Sequence, residues 1–218
     1  TKRHPHLGTA PIPIEPCIDP AIFEAEREAV FRNSWVNVGR IEKIPEPGDY
    51  FVRELAVCRT SVLVVHGKDG VIRAFHNMCP HRGNQVAWEP RGKCRGAFVC
   101  RFHGWSFDTQ GKLVHMSDEE NFFVEKSELG LTEIHSDIWK GFIFVHVNPE
   151  PEQTLLDFLG HVAVALDNYP FEQLTKREWY DVDETVNWKV LLDAQLEGWH
   201  VPFLHKDSLA KSTSAQGM

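Results

Sequence analysis

Two short cysteine–histidine pairs are the residues of this chain with the clearest chemical use. Cys79-Pro80-His81 is followed, after 18 intervening residues, by Cys100-Arg101-Phe102-His103. Each pair offers one thiolate and one imidazole, and two loops that carry such pairs can close over a metal from opposite sides. The same four ligands would suit a tetrahedral zinc ion. The spacing therefore predicts a metal centre and leaves the identity of its metal open.

The alternation of cysteine and histidine favours an iron–sulfur cluster over zinc. In a Rieske centre two cysteines hold one iron and two histidines hold the other, so each loop naturally supplies one ligand to each iron. Two neutral imidazoles in place of thiolates reduce the negative charge and raise the reduction potential, to about −150 to +300 mV. We predict Cys79, His81, Cys100 and His103 as the ligands of a 2Fe–2S cluster.

The other three cysteines predict no further site. The total of five cysteines is odd, and with no secretion signal visible it argues against a disulfide framework. Cys94 lies between the two pairs without a histidine at ligand spacing. We expect Cys17, Cys58 and Cys94 to be structural thiols.

A second set of metal-binding residue types lies near the end of the sequence. His200 and His205 are five residues apart, about 140° apart on an ideal helix, so a regular helix would separate them. Pro202 removes the amide that would bond the Gly198 carbonyl, which predicts a kink that swings His205 towards His200. Glu197, three residues before His200, would share its face on a regular helix. Taken alone, the two histidines are better interpreted as ordinary helix residues.

Both segments resemble the ring-hydroxylating Rieske non-haem iron oxygenases. Residues 79–83 and 100–108 resemble the two Rieske loops of that family, with a slightly longer segment between them, and residues 187–205 resemble its mononuclear-iron motif. The resemblance implies His200 and His205 as ligands of a mononuclear Fe(II) site of the facial-triad type. It places the third ligand, a carboxylate, beyond Met218.

The resemblance also assigns roles to two acidic residues. Glu197 occupies the position of a family aspartate that hydrogen-bonds a cluster histidine of one subunit and an iron histidine of its neighbour, which implies a head-to-tail trimer. The alternative is a solvated helix acid. Asp193 stands where the family commonly has asparagine and could change the hydrogen bonding near the iron. Trp199 replaces a common tyrosine, so the substrate class stays open.

The implied function is that of a terminal oxygenase component. NAD(P)H would drive a reductase, with or without a ferredoxin, and electrons would pass through the Rieske cluster to the iron that activates O2. Dihydroxylation of an aromatic ring, in aromatic hydrocarbon catabolism, is the first interpretation. Monooxygenation or demethylation, including that of quaternary ammonium compounds, is the alternative. A Rieske electron carrier and a zinc-stabilised binding module are rivals from other classes, and the presence of a β subunit stays open.

The pattern of the chain predicts an α+β protein with three parts. Residues 1–40 form an extended proline-rich arm and a helix, residues 41–148 an antiparallel all-β Rieske domain, and residues 149–218 the truncated beginning of a helix-grip-like α+β catalytic domain. The predicted strands are 61–65, 71–75, 97–100, 112–115, 142–147 and 178–186. The predicted helices are 20–32, 153–168 and 187–196.

Charge and hydropathy exclude two classes of partner. The 23 basic and 31 acidic residues give a net charge of −8, which disfavours nucleic acid because phosphate binding needs a concentrated basic surface. No run of about 18 apolar residues is present, so no membrane span is predicted. We expect a cytoplasmic protein.

Overall fold

The structure is a computed structural model that describes residues 10–174 and 182–209, and within these it contains ten strands and six short α-helices. The strands are β1 Val36–Arg40, β2 Asp49–Leu55, β3 Thr60–His66, β4 Ile72–His76, β5 Arg91–Lys93, β6 Phe98–Val99, β7 Ser106–Phe107, β8 Leu113–His115, β9 Glu133–Trp139 and β10 Phe142–His146. The helices are α1 Glu15–Ile18, α2 Pro20–Glu26, α3 Leu155–Leu159, α4 His161–Ala165, α5 Trp188–Leu196 and α6 Val201–Leu204. They divide between two compact units, residues 25–177 and residues 1–24 with 178–218.

The first unit is built from two antiparallel sheets. Seven strands follow the order β1-β10-β9-β4-β3-β2-β5, and β6, β7 and β8 form a separate three-stranded sheet. The β9–β10 turn shows how the local sequence sets this topology. Lys140 and Gly141 both have positive φ, 47° and 81°, as a two-residue hairpin turn with the right twist requires. The turn places Trp139 opposite Phe142 and fixes the register of the pair.

Strand β3 separates two hydrophobic cores. Val62 and Val64 point into one core and Leu63 and Val65 into the other, and all four are completely buried. Because both faces of the strand are covered, its sequence is a continuous apolar run rather than an alternating one. The core on the side of Leu63 and Val65 extends to the cysteine–histidine loops.

The small sheet and β4 position those loops. Loop 1, residues 79–84, follows β4, and loop 2, residues 100–105, connects β6 to β7. Cys79 and Cys100 are each 2% exposed and belong to the same core as Phe75, Trp105 and Phe107. The two thiols are thus held by the packing of the domain as well as by their loops.

The second unit consists of short helices. Asn187 caps α5, since its side-chain oxygen accepts a hydrogen bond from the Lys189 amide at 3.1 Å. Its side-chain amide donates to the Cys17 carbonyl at 3.1 Å and so ties α5 to α1. Among the described residues no helix is long and apolar enough to cross a membrane.

The α+β class and the antiparallel β architecture are confirmed. All five predicted strands between residues 61 and 147 are present, with ends shifted by at most one residue, and helix 187–196 is confirmed as α5. Helix 20–32 is confirmed as α2, continued by a π-helical turn at Arg27–Phe31. The predicted divisions after residues 40 and 148 stay predictions.

Three predictions of local structure need correction. The arm is not extended throughout, since Glu15–Ile18 form α1. The single helix 153–168 is wrong, because Gly160, with φ 48° and ψ −125°, breaks it into α3 and α4. Strand 178–186 lies partly outside the described residues, and residues 182–186 contain no strand.

A pair of glycine substitutions tests how tightly loop 2's sheet packs against the core. Gly111 has φ +80°, and a Cβ there would lie 2.5 Å from the Phe75 ring. Gly111→Ala should lower the free energy of unfolding by about 1–2 kcal/mol for the left-handed backbone and by about 1–3 kcal/mol more for the overpacking. Gly70→Ala is the matched control, since Gly70 has φ +83° and open space around its Cβ. Equal losses in urea denaturation would contradict the packing.

Candidate metal centres

Loop 1 is a tight turn closed by two backbone hydrogen bonds. The Cys79 amide donates to the Asn84 carbonyl at 2.8 Å, and the Gly83 amide donates to the Cys79 carbonyl at 2.9 Å. Gly83 has φ 73°, a conformation that residues with a Cβ rarely adopt. The turn reverses the chain directly after the cysteine.

Loop 2 repeats the same design. The Cys100 amide donates to the Trp105 carbonyl at 2.8 Å, and the Gly104 amide donates to the Cys100 carbonyl at 3.0 Å. Gly104 has φ 75° and stands, like Gly83, four residues after its cysteine. The two loops differ in where the histidine falls, two residues after Cys79 and three residues after Cys100.

Backbone amides favour the charged form of both sulfur atoms. The amides two and three residues after each cysteine lower the pKa of its thiol, those of His81 and Arg82 for Cys79 and those of Phe102 and His103 for Cys100. The Asn84 side-chain amide reaches from loop 1 to Cys100 Sγ at 3.7 Å. The interaction between the two thiols raises the pKa of Cys79 and lowers that of Cys100. Such donors stabilise negative charge on sulfur.

The two thiols experience their surroundings differently. Burial raises the pKa of Cys79 to about 11. Burial also raises the pKa of Cys100, but the backbone amides, Asn84 and the Cys79 thiol together outweigh it and hold that pKa below its usual value. A metal that binds both sulfurs would replace their protons.

The imidazoles of the two loops lie next to each other. The ring centroids of His81 and His103 are 4.6 Å apart, and His81 stacks on Trp105 at 4.8 Å with an interplanar angle of 11°. Partial desolvation, together with the charges of His103 and Arg82, lowers the pKa of His81 and favours the neutral ring that metals bind. His103 Nδ1 is buried and has no hydrogen-bond partner among the described residues.

This donor set fits a two-iron cluster. A buried ring nitrogen without a partner is costly, and a metal ligand would satisfy it. The donors divide into a pair of thiols and a pair of imidazoles. In residues 10–174 and 182–209 no group of three or more histidine, cysteine or acidic side chains is arranged for one ion. A Rieske cluster needs only two such ligands for each iron.

The second candidate centre is organised by a break in the helix rather than by Pro202. α5 ends at Leu196, and Glu197 is extended, with φ −120° and ψ 153°. Pro202 lies in the first turn of the new helix α6, a position that proline favours. The predicted kink at Pro202 is therefore wrong, since the chain has already turned at residues 197–198.

The break brings the predicted residues together. The rings of His200 and His205 have centroids 5.3 Å apart. Glu197 Oε1 lies 2.5 Å from His200 Nδ1, and its other oxygen accepts a hydrogen bond from the Trp199 amide at 2.5 Å. The hydrogen bond with His200 is the main reason that the pKa of Glu197 is lowered. With Nδ1 in contact with Glu197, His200 Nε2 is the ring nitrogen that would bind a metal. Asp193 is exposed on α5.

Cys58 and Cys94 have the buried positions expected of structural thiols. Cys58 is fully buried, and its thiol donates to the Phe31 carbonyl at 3.5 Å. Cys94 is 6% exposed, and burial raises its pKa. Sequence reasoning missed Asn84 and Trp105, whose contacts with Cys100 and His81 only the folded loops reveal.

Comparisons with known proteins agree with this arrangement. Residues 34–131 match the family described as the Rieske 2Fe–2S domain, and residues 171–218 match the ring hydroxylating alpha subunit catalytic domain. The carnitine monooxygenase oxygenase subunit of Escherichia coli K12 is 32% identical over 193 residues, which cover 87% of this chain and 50% of that protein. The chain thus spans about half the length of this relative.

Solved structures give the same result. The quaternary ammonium Rieske monooxygenase CntA in complex with L-carnitine superimposes with a TM-score of 0.83 at 26% identity, covering 92% of this chain and 56% of that chain. Naphthalene 1,2-dioxygenase with indole bound has a TM-score of 0.76 at 29% identity, covering 90% of this chain and 45% of that chain. The fold and the paired loops define a Rieske-type iron–sulfur protein. The chain belongs to the Rieske non-haem iron oxygenases, the family of the ring-hydroxylating alpha subunits.

The contact between Asn84 and Cys100 predicts an effect on the cluster itself. Hydrogen bonds to the sulfurs are among the factors that set the potential of such clusters. Asn84→Ala should lower the reduction potential, because the donor favours the reduced, more negative state, and should keep the iron content. Gln85→Ala is the control at the neighbouring position. A potentiometric titration in which both variants match the wild type would show that Asn84 does not act on the cluster.

Proposed function

We propose that the protein is the terminal oxygenase of a multicomponent system, with Cys79, His81, Cys100 and His103 as ligands of a Rieske cluster. The observation that carries the proposal is the pair of equivalent loops, in which backbone amides favour charged sulfur at both buried thiols. In the described part of the chain His103 Nδ1 has no hydrogen-bond partner. Residues 41–148 would be the Rieske domain and residues 149–218 the beginning of the domain of the mononuclear iron.

The second half of the proposal assigns His200 and His205 to that iron. When bound, the cluster carries single electrons and the mononuclear iron activates dioxygen. The protein's own part is to hold the two imidazoles 5.3 Å apart and to orient His200 through the Glu197 carboxylate. A carboxylate on the free nitrogen of a ligand histidine fixes its tautomer and raises its basicity.

Glu197 is proposed to connect the two kinds of centre between subunits. It already contacts His200 within its own unit, and its side chain is 45% exposed. A carboxylate oxygen can accept more than one hydrogen bond, so a cluster histidine of a neighbouring subunit could donate to it. A contact of this kind, repeated by rotation, closes a ring, and we propose a head-to-tail trimer.

We propose a quaternary ammonium compound as the substrate class, in place of the aromatic ring first expected from the sequence. The carnitine monooxygenase relative and the higher TM-score to CntA support it. Trp199, directly before His200, is 83% exposed, and the face of an indole attracts a quaternary ammonium group. The likeness to naphthalene 1,2-dioxygenase keeps the aromatic ring as the second candidate.

The partner proteins follow from the same proposal. Monooxygenation consumes one O2, two electrons and two protons, and yields one hydroxylated product and one water. The electrons would come from NAD(P)H through a reductase, with or without a ferredoxin.

A single-turnover experiment tests the proposed function. The native protein, chemically reduced and freed of excess reductant, is mixed with O2 and either carnitine or naphthalene, and the products are identified by mass spectrometry. We expect a product that carries one oxygen atom from O2 with carnitine and none with naphthalene. His200→Ala should give no product and keep the Rieske absorption. Oxidation of naphthalene alone would overturn the substrate class, and turnover by His200→Ala would remove His200 from the site.

Rapid mixing of the same samples tests the bridge. Glu197→Gln should retain both metals and slow reoxidation of the cluster by about 10- to 100-fold, since the amide cannot carry the charge that orients both histidines. Glu184→Gln makes the same chemical change at an exposed acid of the same unit and should react as the wild type does. An unchanged rate in Glu197→Gln would reject the bridge and leave the metal assignments standing.

A further inference from the structure

An open groove borders loop 2 within the β-rich unit. Its walls include Trp88, Lys93, Arg95, Val99 and Arg101. Trp88 and Val99 are 46% and 51% exposed, which is high for large apolar side chains beside a buried centre. The guanidinium carbon of Arg101 lies 5.2 Å from the centroid of the Trp88 ring. An accessible cation and an accessible indole thus lie against each other in the groove.

The groove carries a charge opposite to that of the chain. Its walls hold three cations, Lys93, Arg95 and Arg101, against one acid, Glu89, whereas the whole sequence has a net charge of −8. Lys93 pairs with Asp49 at 3.4 Å. Within the described residues Arg95 and Arg101 have no ion-pair partner, so their charge is available to attract an acidic surface.

The walls of the groove are attached directly to the cluster loops. Val99 and Arg101 are the neighbours of Cys100 in the chain. On the other wall, Asn77 fixes the residue before Trp88, since its side chain donates to the Ala87 carbonyl at 2.8 Å and accepts from the Ala87 amide at 2.9 Å. A protein bound in the groove would therefore be held at a fixed position beside the cysteine of loop 2.

Electrons are proposed to leave the cluster on a different side from the groove, so the groove is free to bind the protein that supplies them. Electrons would leave through the histidines, because Glu197 of a neighbour is proposed to contact one of them. The groove lies instead beside Cys100. Arginine and tryptophan are the residues that most often anchor protein interfaces, and opposite charges accelerate the encounter of the two proteins.

We propose that this groove is the docking surface for an acidic one-electron donor protein. The proposal rests on the proposed function, since it requires a redox-active cluster in the two loops. One electron passes from the reduced donor to the cluster, so the donor is oxidised by one electron and the cluster is reduced by one. No covalent bond forms or breaks.

Stopped-flow reduction of the oxidised native protein tests the proposal, with a reduced plant-type ferredoxin as the acidic probe. The second-order rate constant for the wild type should fall steeply as ionic strength rises, because salt screens the attraction. Arg95→Glu should lower that rate constant by about tenfold or more at low salt. Lys112→Glu makes the same change of charge at an exposed cation outside the groove walls and should change it less than twofold.

Three measurements separate docking from its alternatives. Dithionite should reduce all three proteins to the same Rieske spectrum at the same potential, and the absence of that spectrum would refute the proposed function itself. Ferredoxin whose carboxylates have been amidated should lose the salt dependence. Equal rate constants for Arg95→Glu and Lys112→Glu would overturn the docking surface. So would dissociation of the Arg95→Glu oligomer in light scattering, since the groove would then be a contact between copies of this chain.

Discussion

The structure depends on one requirement, that two thiols and two imidazoles be brought to one place from cysteine–histidine pairs separated by 18 residues. Each loop meets it with the same turn, in which a glycine of positive φ follows the cysteine by four residues. Two consecutive amides of the turn lower the pKa of the thiol. Since charged sulfur in a buried site needs donors, the turn both positions the ligand and stabilises it.

The rest of the β-rich unit keeps those turns in register. β3 supplies both cores, and its buried Leu63 and Val65 face the core to which Cys79 and Cys100 belong. Trp105, the last residue of loop 2, stacks on His81 of loop 1. Loss of packing at any of these positions would move one loop relative to the other, so the geometry of the site is a property of the whole core.

The ligands could be predicted from the spacing of cysteine and histidine along the sequence, which can be recognised without knowledge of the fold. The strand β7 was not predicted, because it contains two residues and owes its conformation to pairing within the sheet. The equivalence of the loops was also hidden, since the histidine follows the cysteine by two residues in one and by three in the other. The sequence predicted the break in the helix at Pro202 because proline is a strong helix-breaking signal. The actual break at Glu197, where the carboxylate accepts a hydrogen bond from the Trp199 amide, has no such signal in the sequence.

The ligand set of the cluster is the central claim, and the nitrogen couplings of its reduced form test it most directly. Pulsed electron paramagnetic resonance of the native protein grown with 15N-labelled histidine should show two coupled imidazole nitrogens on a 2Fe–2S centre. Couplings from one imidazole or from none, or a protein that contains zinc and gives no paramagnetic signal, would contradict the assignment of Cys79, His81, Cys100 and His103.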